Sequence, residues 1–168
     1  MFQLKSLTPE GIPAALEKAF RYRLLNEPEQ AESICEDVLN VDPANQEALT
    51  TLILAHTDRF AGPRPVPPQD AKALLPRLTS EYDRAYFAGI IEEREGIAWL
   101  RSGNPRSGVA AYSCLWAAMR YFEAAEKLRP PANDDALLRW NNCARMILAN
   151  DDVAPADEGV EETVAPGD

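Results

Sequence analysis

The segment AESICEDVLNVDP at residues 31–43 decides the fold, because its pattern returns as AMRYFEAAEKLRP at residues 118–130. Small or apolar residues stand at the first, fifth, eighth and eleventh positions of both segments, and a proline stands at the thirteenth. This spacing places the apolar side chains on one face of an α-helix that ends before the proline. Two copies of such a helix predict an all-α chain built from helical repeats.

The residues after the two segments are also alike. The chain continues as PANQEAL at 43–49 and as PANDDAL at 131–137, so Asn45 and Asn133 are predicted to cap a following helix, with an acidic residue in its first turn. The two copies are offset by 87 residues before the turn and by 88 after it. Arrays of paired helices repeat every ~34 residues, so we expect an interrupted and irregular array.

The rest of the chain is predicted to contain further helices. Residues 61–68, AGPRPVPP, hold four prolines and form the one internal linker, because proline lacks an amide donor and fixes φ. Gly89 and Gly96 predict close packing of the long fifth helix against a neighbour. We expect a single domain over residues 1–150 with about seven helices, at 8–25, 31–39, 45–60, 70–78, 81–101, 109–128 and 133–149.

The charge is concentrated near one end of the sequence. The net charge is −10, and seven acidic residues without a basic one lie in residues 151–168, which leaves −3 on residues 1–150. Residues 151–168 are too polar to bury much surface, so we predict an acidic disordered tail. The acidic balance disfavours nucleic acids and anionic membranes as partners, since both attract basic proteins.

The sequence also bears on the compartment. The amino-terminal residues lack the pattern of a secretory signal, and no stretch approaches the ~20 apolar residues that span a bilayer. Cys35, Cys114 and Cys143 are odd in number and widely spaced among apolar residues. They are predicted to be reduced and packed, and we expect a cytoplasmic protein.

The recurring pattern resembles the consensus of tetratricopeptide repeats, to which Ala19 and Tyr22 add the small and aromatic positions of the first helix. The resemblance covers residues 12–60 and 112–149. It implies antiparallel helix pairs in an irregular right-handed α-solenoid whose first helices line a groove for a segment of another protein, without a cofactor. By position, the groove candidates are Phe20, Arg23, Thr50, Leu54, Thr57, Leu138, Arg139, Asn142 and Arg145.

Residues that could carry chemistry lack the partners they would need. The glycine spacing of residues 103–108 matches a phosphate loop, but Val109 and Ala110 stand where such a loop has Lys and Ser or Thr. The acidic run of Glu92, Glu93 and Glu95 has no histidine nearby and is predicted to be a solvated face. We therefore expect no metal, no cofactor and no catalytic residues.

Three functions remain open from the sequence. The first is a non-catalytic adaptor that binds a peptide or helix of a partner protein in the groove. The second is a chaperone similar to the tetratricopeptide translocator chaperones of type III secretion, and the third is an enzyme or metal-dependent protein that uses residues 69–108. Homo-oligomerisation is plausible, since an interrupted array can leave an apolar face uncapped. The acidic tail is further hypothesised to occupy the face of Arg139, Asn142 and Arg145.

Overall fold

The protein is all-helical in the computed structural model, which describes residues 2–156. Seven α-helices and no strands are present in these residues. The helices are α1 (Ile12–Leu24), α2 (Pro28–Val41), α3 (Gln46–Asp58), α4 (Pro68–Lys72), α5 (Glu81–Ser102), α6 (Ser107–Leu128) and α7 (Asp135–Leu148). Two 3₁₀ turns, Pro9–Gly11 and Leu75–Arg77, precede α1 and follow α4. The predicted all-α class is confirmed.

Side-chain capping explains the start of some helices but not of all. The Asn45 side chain accepts a hydrogen bond from the Ala48 amide at 2.9 Å, as predicted for the start of α3. The Asn133 side chain accepts one at 2.9 Å from the amide of Asp135, the first residue of α7, but the N-cap residue is Asp134, one position after the predicted one. Thr8 makes no capping bond, and the chain forms a 3₁₀ turn before α1 begins. Helix α1 therefore begins about four residues later than predicted.

The proline-rich middle of the chain contains only short helical pieces. Pro68 is the first residue of α4, where a missing amide donor does no harm. The predicted helix over residues 70–78 is split, because Pro76 lies in a separate 3₁₀ turn. The linker packs on α3, since the Val66 side chain is buried and its amide donates to the Arg59 carbonyl at 3.1 Å.

The buried apolar residues form two cores. Helices α1, α2 and α3 supply most of the first core, and α5, α6 and α7 supply most of the second. Successive helices pack on each other, and α3 also contacts both α1 and α5. The first three pattern positions are fully buried in both α2 and α6. They are Ala31, Cys35 and Val38 in α2 and Ala118, Phe122 and Ala125 in α6.

Two glycines let α5 and α6 approach closely. A Cβ atom added to Gly89 would lie 2.5 Å from the Phe122 ring, and one added to Gly96 would lie 3.1 Å from Leu115. The predicted close packing is thus confirmed. Residue numbers rise along α5 as those of the facing residues fall along α6, so the two helices run antiparallel.

The packed chain continues beyond α7. Val153 is buried in the second core, and its amide donates to the Asn150 carbonyl at 2.9 Å. The predicted boundary at residue 150 therefore falls short, because an apolar side chain three residues later is packed. Residues 157–168 of the predicted disordered tail lie outside the described residues. Among residues 2–156, no helix is both long enough and apolar enough to cross a membrane.

Candidate functional site

Helix α5 presents polar side chains in three directions. The face formed by residues 94, 97, 98 and 101 points toward α1 and α3. Glu93 points toward α7, and Glu92 and Glu95 point toward α4 and α6. Because side chains three and four positions apart share a helical face, one helix can supply a separate site on each side.

The arginine pocket, as we name it, lies between α1, α3 and α5. It is an open cavity of about 230 Å³. Three arginines, one from α1 and two from α5, line it together with a single aspartate and several apolar residues. Its lining residues are Arg23, Leu24, Asn26, Thr57, Asp58, Phe60, Ala61, Arg94, Ile97, Ala98 and Arg101.

Positive charge is in excess in this pocket. The Arg23 Nε donates to the Asp58 Oδ2 at 2.8 Å, so these two charges offset each other. Arg94 and Arg101 form no salt bridge within residues 2–156. The Nε of Arg94 is buried and has no hydrogen-bond partner among these residues. An unmet buried donor of a charged group is costly, and a bound anion would relieve it.

Only two of the five predicted groove residues of α1 and α3 line this pocket. Arg23 and Thr57 line it, although the Thr57 hydroxyl already donates to the Leu54 carbonyl at 2.8 Å. Phe20 lies one turn earlier on α1 and is 55% exposed. Thr50 and Leu54 are half-buried, and Leu54 packs against the second core.

The predicted groove residues of α7 are placed differently. The Glu93 carboxylate accepts hydrogen bonds from Arg139 at 3.0 Å and from Asn142 at 2.8 Å. Glu93 is fully buried, so the prediction of a solvated acidic face is wrong at this residue. Burial lowers the pKa of Arg139, but the Glu93 charge and Tyr86 together raise it above its ordinary value. Arg139 and Asn142 therefore fasten α7 to α5, whereas Leu138 and Arg145 remain exposed.

The other two acidic residues of α5 form an internal ion cluster. The Lys72 Nζ lies 2.8 Å from Glu92 and 3.2 Å from Glu95, and the Cys114 thiol is adjacent. Burial raises the pKa of Cys114 to about 12, and the two carboxylates add to the shift. The Lys72 ammonium offsets the charge of the two carboxylates, and without a bound metal ion the Cys114 thiol stays protonated.

The chain matches no protein-family model, and comparisons with curated proteins and with solved structures find no match.

Of the residues that line the arginine pocket, only Arg23 and Thr57 were predicted, and both arginines of α5 were missed. Arg94 and Arg101 lie in the segment that departs from the repeat pattern, where a groove position could not be assigned by matching. Their i, i+7 spacing, with Ile97 and Ala98 between them, is the signal that could have found them, because it marks one helical face.

Proposed function

We propose that this protein is a non-catalytic binding module that holds a segment of another protein across α1, α3 and α5. The arginine pocket carries the proposal. It combines two arginines that have no ion pair within the described part of the chain with apolar side chains such as Phe60 and Ile97. A partner segment with an acidic group beside an apolar residue fits this lining.

A repeat-like arrangement supports the proposal. Helices α1, α3 and α5 are neighbours in the packing although they alternate with other helices along the chain. We interpret α1 with α2, and α5 with α6, as helix pairs of the tetratricopeptide type. In this interpretation the middle pair keeps α3 but has only α4 and a 3₁₀ turn as its second member. The proline-rich linker and the 22-residue lengths of α5 and α6 then account for the offset of 87 residues.

The cysteines favour the cytoplasm as the compartment. The three cysteines are free, and burial raises the pKa of the Cys35 thiol to about 12. Such thiols are unreactive, which suits a protein of a reducing compartment.

Affinity capture with pocket variants tests the proposal. The full chain and the double variant Arg94→Gln/Arg101→Gln are immobilised, and the proteins retained from native lysate are quantified by mass spectrometry. Charge-assisted hydrogen bonds contribute ~1.5–3 kcal/mol each, so the partner should be retained at least about tenfold less by the double variant.

Arg120→Gln is the matched control, since Arg120 is exposed on α6 and away from the pocket lining. Circular dichroism checks that all three proteins are folded. A partner that the double variant retains as well as the unaltered chain would refute the proposed surface.

A further inference from the structure

We propose that the arginine pocket is occupied, in the absence of a partner, by the acidic segment of the same chain, residues 157–168. The proposal rests on the proposed binding function and adds its regulation, because an acidic partner must then displace this segment. The acidic segment is defined by its sequence, DEGVEETVAPGD, which contains five acidic residues and no basic one.

The chain is held beside the first turn of α6 shortly before the acidic segment begins. Val153 is buried in the second core. The carbonyl oxygen of Asp152 lies so close to Gly108 that a Cβ atom there would be 2.0 Å from it. Gly108 is in the first turn of α6, which the antiparallel packing places beside the last turn of α5. That turn carries Arg101, one of the two pocket arginines without a salt bridge within residues 2–156.

The acidic segment is long enough to reach both arginines. Packed helix axes lie ~8–10 Å apart, and the seven residues from Arg94 to Arg101 span about 10 Å of helix. Twelve extended residues cover roughly 40 Å, at ~3.3–3.6 Å per residue. The segment is therefore about twice as long as this path, so it need not be fully extended.

The charges of the pocket and the segment are complementary. Three arginines face one aspartate in the pocket, while all five charged side chains of the acidic segment are negative. A guanidinium group binds a carboxylate with two parallel hydrogen bonds, so Arg94 and Arg101 can each take one acidic side chain. Attachment to the same chain gives the segment an effective concentration on the order of 1 mM, so even a weak interaction is populated.

Several other basic residues already have carboxylate partners, whereas the exposed Arg106, Arg120 and Arg145 have none within residues 2–156. Arg139 is bound by Glu93, which removes it from the α7 face that was the first candidate for the tail. The others with a carboxylate partner include Arg21 by Glu17, Arg59 by Glu32, Lys72 by Glu92 and Glu95, Arg84 by Glu81, and Arg129 by Asp134. The arginine pocket differs from these places because two of its arginines lack such a partner within residues 2–156.

The test measures binding of the segment as a separate peptide. A fluorescein-labelled synthetic peptide of sequence DEGVEETVAPGD is titrated with two full-length proteins at 50 mM NaCl, and binding is followed by fluorescence anisotropy. One protein is the unaltered chain. The other, the neutral-tail variant, carries Asp157→Asn, Glu158→Gln, Glu161→Gln, Glu162→Gln and Asp168→Asn.

We expect the peptide to bind the neutral-tail variant about tenfold more tightly than the unaltered chain. The factor follows from an effective concentration of ~1 mM and an intrinsic Kd of ~0.1 mM for the tethered segment. Adding Arg94→Gln and Arg101→Gln to the neutral-tail variant should weaken peptide binding at least tenfold, whereas adding Arg106→Gln should leave it unchanged. Arg106 is the sharpest control, because it is exposed near the point where the segment begins but does not line the pocket.

Several results would overturn the proposal. Equal affinity of the two proteins for the peptide would show that the segment does not occupy the pocket. If Arg106→Gln weakens peptide binding as much as the pocket substitutions do, the peptide is attracted to positive charge anywhere on the surface and not to the pocket. Complete displacement by 10 mM phosphate would make the pocket a small-anion site. A concentration-dependent dimer mass, lost in the neutral-tail variant, would place the segment in the pocket of a second copy.

Failure here is distinguishable from failure of the proposed function. If partner capture depends on Arg94 and Arg101 but the peptide does not bind, the occupancy by the acidic segment is refuted and the binding module stands. If the peptide binds as expected but partner capture does not depend on Arg94 and Arg101, occupancy of the pocket by the acidic segment stands and the pocket is refuted as the partner-binding surface.

Discussion

Removing the Glu93 carboxylate should destabilise the fold strongly. Glu93 is fully buried and accepts hydrogen bonds from Arg139 at 3.0 Å and from Asn142 at 2.8 Å. Glu93→Ala loses both bonds and leaves the Arg139 charge without its partner. Removing one member of a buried ion pair costs ~3–5 kcal/mol. We expect about 3 kcal/mol, because the Arg139 side chain is 33% exposed and water can partly replace the carboxylate.

The Glu93→Gln variant separates charge from shape. It fills the same volume and keeps one acceptor oxygen, so we expect a loss of about 2 kcal/mol. The double variant Glu93→Met/Arg139→Met removes both charges together, and its stability should lie within about 1 kcal/mol of the unaltered protein. Comparison of the double variant with the single variants Glu93→Met and Arg139→Met gives the coupling free energy between the two side chains.

Urea unfolding followed by far-ultraviolet circular dichroism gives these free energies by linear extrapolation. Glu93→Ala should lower Tm by about 6–12 °C in a chain of this size. Glu17→Gln is the matched control, because Glu17 pairs with Arg21 on the surface with 72% of its side chain exposed, and it should change stability by less than about 0.5 kcal/mol. If Glu93→Gln lowers the free energy of unfolding by no more than the control does, the stabilising role of the buried Glu93 charge is refuted.

Three further predictions follow from the packing, the thiols and the caps. Gly89→Ala places a Cβ atom 2.5 Å from the Phe122 ring, so it should destabilise the protein by ~1–3 kcal/mol although alanine favours helix; unchanged urea stability would contradict this. Burial raises the pKa of Cys35 to about 12 from 9.0, so the folded-state pKa exceeds the unfolded one. The stability from this thiol is complete below about pH 9 and is lost between pH 9 and 12. In the Cys35→Ala variant, the free energy of unfolding should therefore fall less steeply between pH 9 and 12, by up to ~1.4 kcal/mol per pH unit. Identical slopes of unfolding free energy against pH in both proteins would refute the raised pKa. Asn45→Ala should cost ~1 kcal/mol of unfolding free energy by loss of the bond to the α3 amide, against less than about 0.5 for the exposed Asn40→Ala in α2.

Much of the helical layout was predictable because its causes are local. The buried face of α2 and α6 follows from side-chain spacing, and the start of α3 follows from the side chain of Asn45. Because proline breaks a helix by its own geometry, the linker and the interruption at Pro76 could also be predicted from the sequence. The missed start of α1 is also local: Thr8 precedes a 3₁₀ turn whose hydrogen bonds compete with the α-helix.

The candidate site was only partly predictable. Arg23 and Thr57 were identified from the repeat resemblance, but Arg94 and Arg101 lie in a segment without that pattern. A single sequence gives no signal for which arginines will meet across three helices. That meeting depends on how α1, α3 and α5 pack, which is set by contacts between residues far apart in the chain.

Tertiary structure alone decided the role of the charged residues. Glu93 and its neighbours Glu92 and Glu95 are equivalent in the sequence, since they are adjacent acidic residues on one helix. Glu93 is buried because Arg139 and Asn142 reach it from a helix that begins more than thirty residues after α5 ends. The sequence by itself determined where helices form, which faces are apolar and how much charge the chain carries. The packing of helices distant in the chain determined which charges are paired, because the energy of a charge depends on its partners and on its exposure to water.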